Sequence, residues 1–228
     1  MIGIIGAMDV EVDTLVKSLK DEQKFVISGI KYTKGILSGR ECVIAKSSPG
    51  KVNAAICTQT MILKFSPDYI INIGVAGAIL NSLHVGDVAL AENVVQHDVD
   101  TSPLGDPKGM VSGINLIEIP CSKYLIEKVS QILEEQDITF FKGTIITGDQ
   151  FIANKEDLYK LGNDFKGIAC EMEGGSIGQV CYINGVEFIV LRSISDSADE
   201  NSAYSYEKFV EISAQKSCEL IKRVIQKI

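Results

Sequence analysis

Three stretches of the 228-residue chain set acidic side chains at the edges of apolar runs. In GIIGAMDVE, Glu11 falls on the first helical turn after a strand. In CEMEGGSIG, Glu171 and Glu173 interrupt an apolar segment just before two glycines. In FIVLRSISDSAD, the apolar run Phe188–Leu191 leads straight into Arg192 and then Asp196. Open α/β sheets hold ligands beyond the carboxyl ends of their strands, which is where these residues fall. Strand alternation puts Glu171 and Glu173 on one side, where like charges crowd unless a partner or ligand needs them. Each motif also has an ordinary structural reading. Glu11 suits a helix dipole, the glutamate pair a solvated helix start, and Asp196 a cap on the next turn.

Cleavage of a glycosidic bond is one chemistry that uses three carboxylates without metal or cofactor. The departing base must be protonated, a water activated on the opposite face, and positive charge on the sugar stabilised. Glu11, Glu173 and Asp196 are the candidates. A metal site is not expected. Cys42, Cys57, Cys121, Cys170, Cys181 and Cys218 contain no C-x-x-C pair and mostly sit in apolar stretches, as reduced core thiols do. His84 and His97 each stand alone, apart from Asp98 beside His97, and read as structural. Gly3 and Gly6 do not make the dinucleotide fingerprint, so a dehydrogenase is remote.

Composition narrows the partners. The chain is 46% hydrophobic and 23% charged, with 30 acidic against 22 basic residues and a net charge of -8. That balance suits neither a nucleic-acid backbone nor an anionic membrane face. The N-terminus lacks a basic n-region and a small-residue cleavage site, and the longest apolar stretch, near Tyr69–Leu83, is interrupted by polar residues and glycines. The expectation is one soluble domain over 1–228 in the cytoplasm.

The elements that must position the acids alternate strand and helix. Met1–Ile5 is a strand, and Asp9 caps a helix carrying Val12, Leu15, Val16 and Leu19 on one face. Lys24–Leu37 and Cys42–Ser47 read as strands joined through Ser38-Gly39. Lys51–Phe65 is a helix with Val52, Ala55, Ile56, Ile62 and Leu63 on one side, ended by Pro67. Strands follow at Tyr69–Ile73 and Asp87–Val95, then a long loop from Gln96 to Pro120. Beyond it come a helix near Tyr124–Glu135, a strand at Phe140–Thr147, a helix near Lys155–Gly162 and a strand entering Cys170. A helix after Glu173, a strand at Glu187–Ile194 and a helix from about Ser205 to Ile228 complete the pattern.

Taken in order, GIIGAM-x-x-E at 3–11, GKVNAA at 50–55, IINIGVAGA at 70–78, TGDQFI at 147–152, CEMEG at 170–174 and RSISDSAD at 192–199 resemble the bacterial 5′-methylthioadenosine/S-adenosylhomocysteine nucleosidases. These belong to the purine nucleoside phosphorylase superfamily. The resemblance implies a three-layer α/β/α fold with a central mixed, partly barrel-like sheet flanked by helices. It implies cofactor-free hydrolysis of 5′-methylthioadenosine, S-adenosylhomocysteine and 5′-deoxyadenosine to adenine, in methionine salvage. Asp196 resembles the general acid at adenine N7, Glu11 the base for the attacking water, and Glu173 the carboxylate that holds the ribose. Phe151 would stack on the purine, the Ile152 backbone would read its edge, and Met172 would pack beneath the ribose. Met8 and Tyr206 would line the 5′-thio pocket, and Arg192 would orient a carboxylate or water, or form a structural ion pair. The family's homodimer would bring Leu104 to the neighbouring pocket.

Val75, Ala76, Gly77 and Pro49 are expected at the substrate, and two of them depart from the family pattern. Relatives carry Ser where this chain has Val75, and an isoleucine-like residue where it has Pro49. Phosphorolysis needs hydroxyl and guanidinium donors for the incoming anion, yet the chain has only Arg40, Arg192 and Arg223, and Val75 lacks a hydroxyl. Hydrolysis is therefore favoured over a purine nucleoside phosphorylase. A futalosine hydrolase and a non-catalytic nucleoside-binding module are the competing readings of the same motifs.

Overall fold

The computed structural model describes residues 1–197 and 202–228, and the side chains of 1–195 and 214–228. Strand β1 (Ile2–Gly6) is buried along its whole length and leads into helix α1 (Asp9–Lys17). The N-cap is Met8 rather than Asp9, because the Glu11 carboxylate supplies the acceptor for the Met8 N–H. The stretch expected as one strand over Lys24–Leu37 is a hairpin of β2 (Lys20–Ile27) and β3 (Ile30–Leu37). Ser28 and Gly29 take φ values of 52° and 76°, the left-handed pair that a two-residue hairpin turn requires. Ser38 and Gly39 make the same turn into β4 (Arg40–Lys46).

Helix α2 spans Lys51–Phe65, as its sequence predicts. Its buried face is instead Ala54, Cys57, Thr58, Met61 and Phe65, while Val52, Ile56 and Leu63 are 67%, 44% and 74% exposed. Strand β5 (Tyr69–Ala78) continues five residues past the expected Ile73, because its far half pairs with β10 (Glu187–Ser197) up to Ala78. The Gln96–Pro120 loop is less open than expected. After β6 (Val88–Gln96) it holds a 3-10 turn at Ser102–Leu104, a bridge between Val111 and Leu116, and the short β7 (Ile119–Pro120) on β6. Helix α3 (Lys123–Glu135), β8 (Phe140–Thr147), α4 (Lys155–Phe165), β9 (Gly167–Glu171), α5 (Gly174–Asn184) and α6 (Ser202–Lys227) make up the rest.

The sheet is mixed and closes on itself in part. Strands run β10-β6-β8-β9-β5, and β10 also pairs with β5, completing a ring from which β1, β4, β3 and β2 extend. Around this ring β5–β10, β6–β8 and β8–β9 are parallel, whereas β10–β6 and β5–β9 are antiparallel. One face packs Ala54, Cys57 and Met61 of α2 with Ile177 and Cys181 of α5. The opposite face packs Leu15 of α1, Val129 and Leu133 of α3, and Ile221 and Val224 of α6. This is the expected three-layer arrangement around a partly barrel-like sheet. All six cysteines are free and buried.

Candidate active site

The carboxyl ends of β1, β5, β9 and β10 meet around one cavity. Glu11 sits in the first turn of α1, directly after β1, and is 2% exposed. Its Oε2 accepts the N–H groups of Ala7 at 2.7 Å and Met8 at 2.9 Å, and its Oε1 accepts that of Val75 at 3.1 Å. One carboxylate therefore joins the start of α1 to β5. Burial raises its pKa above the ordinary carboxylate value, against the pull of Arg192 and the three N–H donors.

Glu171 and Glu173 do not share a strand face. Strand β9 ends at Glu171, and the chain turns so that Glu173 becomes the N-cap of α5. Both carboxylates then converge on Arg192, whose Nη2 donates to Glu171 Oε2 and, at 3.4 Å, to Glu173 Oε2. Glu171 also accepts the Thr147 hydroxyl and the N–H groups of Glu173 and Gly174, so its charge is well compensated. Glu173 has fewer donors, since among the described residues its other oxygen takes only the Gly50 N–H, at 2.9 Å. Burial pushes it up to about 7, with Arg192 opposing and Glu171 adding to the rise.

Arg192 is 1% exposed and does not line this cavity; it acts on the two carboxylates beside it. Besides the carboxylates it donates to Asn72 Oδ1 at 2.7 Å and to the Ile73 carbonyl at 3.3 Å. That explains a fully buried Asn72 in the middle of an apolar strand: Asn72 also donates to the Ile5 carbonyl and so ties β1, β5 and β10 together. Gly74 makes room for the cluster. A Cβ there would lie 2.0 Å from Arg192 Nη1 and 2.7 Å from Glu11 Oε1.

Met8, Pro49, Val75, Ala76, Gly77, Phe151, Met172, Glu11 and Glu173 all face this cavity. Ile152 lines a smaller recess beside it, together with Phe151 and Met172. Leu104 is 84% exposed on the 3-10 turn and does not line this cavity. The side chains of Asp196 and Tyr206 lie outside the described residues. The Asp196 backbone pairs with Gly77 one residue before the end of β10, just past a bulge after Ile194. Ser195 at that bulge, Ala7 and Cys170 also face the cavity, although sequence reasoning does not assign them to the site, and so does Glu171, which the sequence singles out only as one of an acidic pair. A signal for Glu171 exists, since an acid inside a buried strand needs a cation and Arg192 is the only arginine in an apolar run. Arg40 and Arg223 are exposed and away from the site. Among the described residues no group of three or more His, Cys, Asp or Glu side chains is gathered to hold a metal.

A family model of the phosphorylase superfamily matches residues 1–226. A 5′-methylthioadenosine/S-adenosylhomocysteine nucleosidase of Staphylococcus aureus is 42% identical over the full length of both chains. The chain belongs to this nucleosidase family within the phosphorylase superfamily. The Neisseria meningitidis nucleosidase, solved in complex with methylthio-immucillin-A, superposes with a TM-score of 0.96 at 30% identity, covering 100% of this chain and 99% of that one. The native structure of a Helicobacter pylori futalosine hydrolase gives 0.95 at 37% identity, covering 100% and 97%. Within the nucleosidase family, then, the overall fold does not separate substrates, and the residues around the cavity must.

Proposed function

We propose that the protein hydrolyses the N-glycosidic bond of 5′-methylthioadenosine and S-adenosylhomocysteine, and of 5′-deoxyadenosine, releasing adenine. Water oxygen bonds to C1′ as the bond from C1′ to N9 breaks, and the bonding electron pair leaves with the purine. Asp196 donates a proton to N7 of the departing base, Glu11 takes the proton of the water, and Glu173 holds the ribose hydroxyls and steadies the cationic sugar. The observation that carries this reading is the pairing of Glu11 and Glu173 across one apolar-walled cavity whose nearest guanidinium is already committed to carboxylates. An incoming phosphate would find no free arginine there, whereas water needs none.

Phe151 stacks on the purine, the Ile152 backbone reads its edge, Met172 packs under the ribose, and Met8 and Tyr206 receive the 5′ substituent. The whole chain acts as one domain in methionine salvage in the cytoplasm, as a homodimer in which Leu104 reaches the neighbouring pocket. The exposed apolar residues Val52, Ile56 and Leu63 on α2, with Tyr182 and Ile183 on α5, support a second copy as the cover for that face.

The test is chromatography of products from each nucleoside, futalosine included, with and without phosphate. Adenine and free thioribose in phosphate-free buffer are expected. A phosphate requirement with a sugar phosphate product, or turnover confined to futalosine, would overturn the reading.

A further inference from the structure

Two loops that carry cavity residues, the Pro49-Gly50 turn and the Phe151 loop, are joined to a third, at Asp98, by one closed set of contacts. Asp98, just after β6, uses both carboxylate oxygens: Oδ1 accepts Lys51 Nζ at 2.6 Å and Oδ2 accepts the Asp149 N–H at 2.9 Å. Asp149 in turn accepts the Lys51 backbone N–H at 2.7 Å. Asp149 thus caps helix α2 from 98 positions away, because the N-cap of α2 is Gly50, which has no side chain to do so. Gly50 stands at φ 97°, and a Cβ there would meet Asp149 Oδ1 at 3.0 Å, so the close approach depends on glycine. On the other side of the same turn, the Gly50 N–H binds Glu173.

Exposed ion pairs contribute little, but the Lys51 and Asp98 side chains are only 18% and 25% exposed. Burial would raise the Asp98 carboxyl, and Lys51 with the Asp149 N–H outweighs it, holding the group below the ordinary carboxylate range. His97 supports the same loop from below. Its backbone N–H donates to the Thr147 carbonyl, and its ring lies where a Cβ on Gly148 would stand.

We propose that Asp98 is a positioning residue which, with Lys51 and Asp149, clamps the Phe151 loop to the Pro49-Gly50 turn and so sets the spacing between the purine and ribose walls of the cavity. The inference rests on the function proposed above, and neither Asp98 nor Lys51 faces the cavity. The clamp governs how well a nucleoside is seated, while Glu11 keeps donors from segments outside the clamp.

Two variants separate the clamp from a merely structural contact. Asp98→Ala removes both acceptors, and Asp98→Asn keeps an acceptor for the Asp149 N–H but loses the charge facing Lys51. Steady-state adenine release should show KM for methylthioadenosine raised about tenfold in Asp98→Ala, kcat within about threefold of wild type, and an intermediate KM in Asp98→Asn. Hydrogen exchange should quicken in 49–55 and in 147–152 together. An unchanged KM, a fall in kcat alone, or faster exchange in only one segment would overturn the clamp. If Asp98→Ala fails to fold, the same readouts on Asp98→Asn decide. A wild type that releases no adenine overturns the proposed function instead, and exchange alone then decides the clamp.

Discussion

A single guanidinium nitrogen, Arg192 Nη2, serves both Glu171 and Glu173, and it serves Glu173 at 3.4 Å. The two glutamates, two residues apart, consequently differ in character. Glu171 is wrapped by a hydroxyl, backbone N–H groups and the cation, whereas Glu173 keeps an oxygen near the cavity with little to neutralise it. A carboxylate left in this condition can interact strongly with a cationic sugar.

The shift of Glu173 makes stability depend on pH. Its carboxyl rises from 4.5 to about 7 on folding, so between these values the folded protein binds a proton that the unfolded chain releases. Its contribution to stability is complete below pH 4.5 and is lost as pH rises through 7, with a slope of at most about 1.4 kcal/mol per pH unit. Glu173→Gln removes that loss. Urea denaturation of both proteins at about pH 5 and about pH 7.5 should show the variant gaining on wild type with rising pH. Parallel profiles would contradict the assigned shift.

Catalysis should depend on two of the acids through proton transfer. Glu11→Gln and Asp196→Asn are each expected to slow adenine release by roughly 10²–10⁴-fold, with circular dichroism unchanged. Near-wild-type turnover in either variant would remove that residue from the mechanism.

Gly74→Ala places a methyl group 2.0 Å from Arg192 Nη1, in a cluster with no exposed side to retreat into. The expected cost is about 1–3 kcal/mol of stability together with lost activity, because Arg192 and Glu11 must both shift. Thermal unfolding and adenine release, measured on one preparation, check the two effects. A variant with unaltered turnover would show that the cluster can yield without consequence for the site.

The outer face of α2 is the fourth test. Replacing Val52 and Ile56 with glutamate puts charge on the apolar surface assigned to a second copy, and light scattering should report a shift from dimer to monomer. A wild type that is already monomeric would refute the dimer, and a double variant that stays dimeric would move the interface elsewhere.

Local patterning makes much of this protein readable from the chain alone. The bounds of α2 and β8 follow from periodicity, from Pro67 and from the aromatic and β-branched residues of 140–147, since helix and strand periods are properties of short segments. Motif order by itself indicates the nucleosidase family and its layered fold. Periodicity cannot choose the buried face of α2, which carries apolar residues on two sides: Ala54, Cys57 and Met61 pack on the sheet and α5, and Val52, Ile56 and Leu63 point outward. Nor can alternation foresee that β9 stops at Glu171, which sends Glu173 to the head of α5. The meeting of Glu11, Glu171 and Glu173 around Arg192 joins residues up to 181 positions apart in sequence (192 − 11). That convergence, and the reach of Asp98 to Lys51 and Asp149, exists only once the sheet has closed, because a charge is placed by the packing of distant strands and not by its neighbours in the chain.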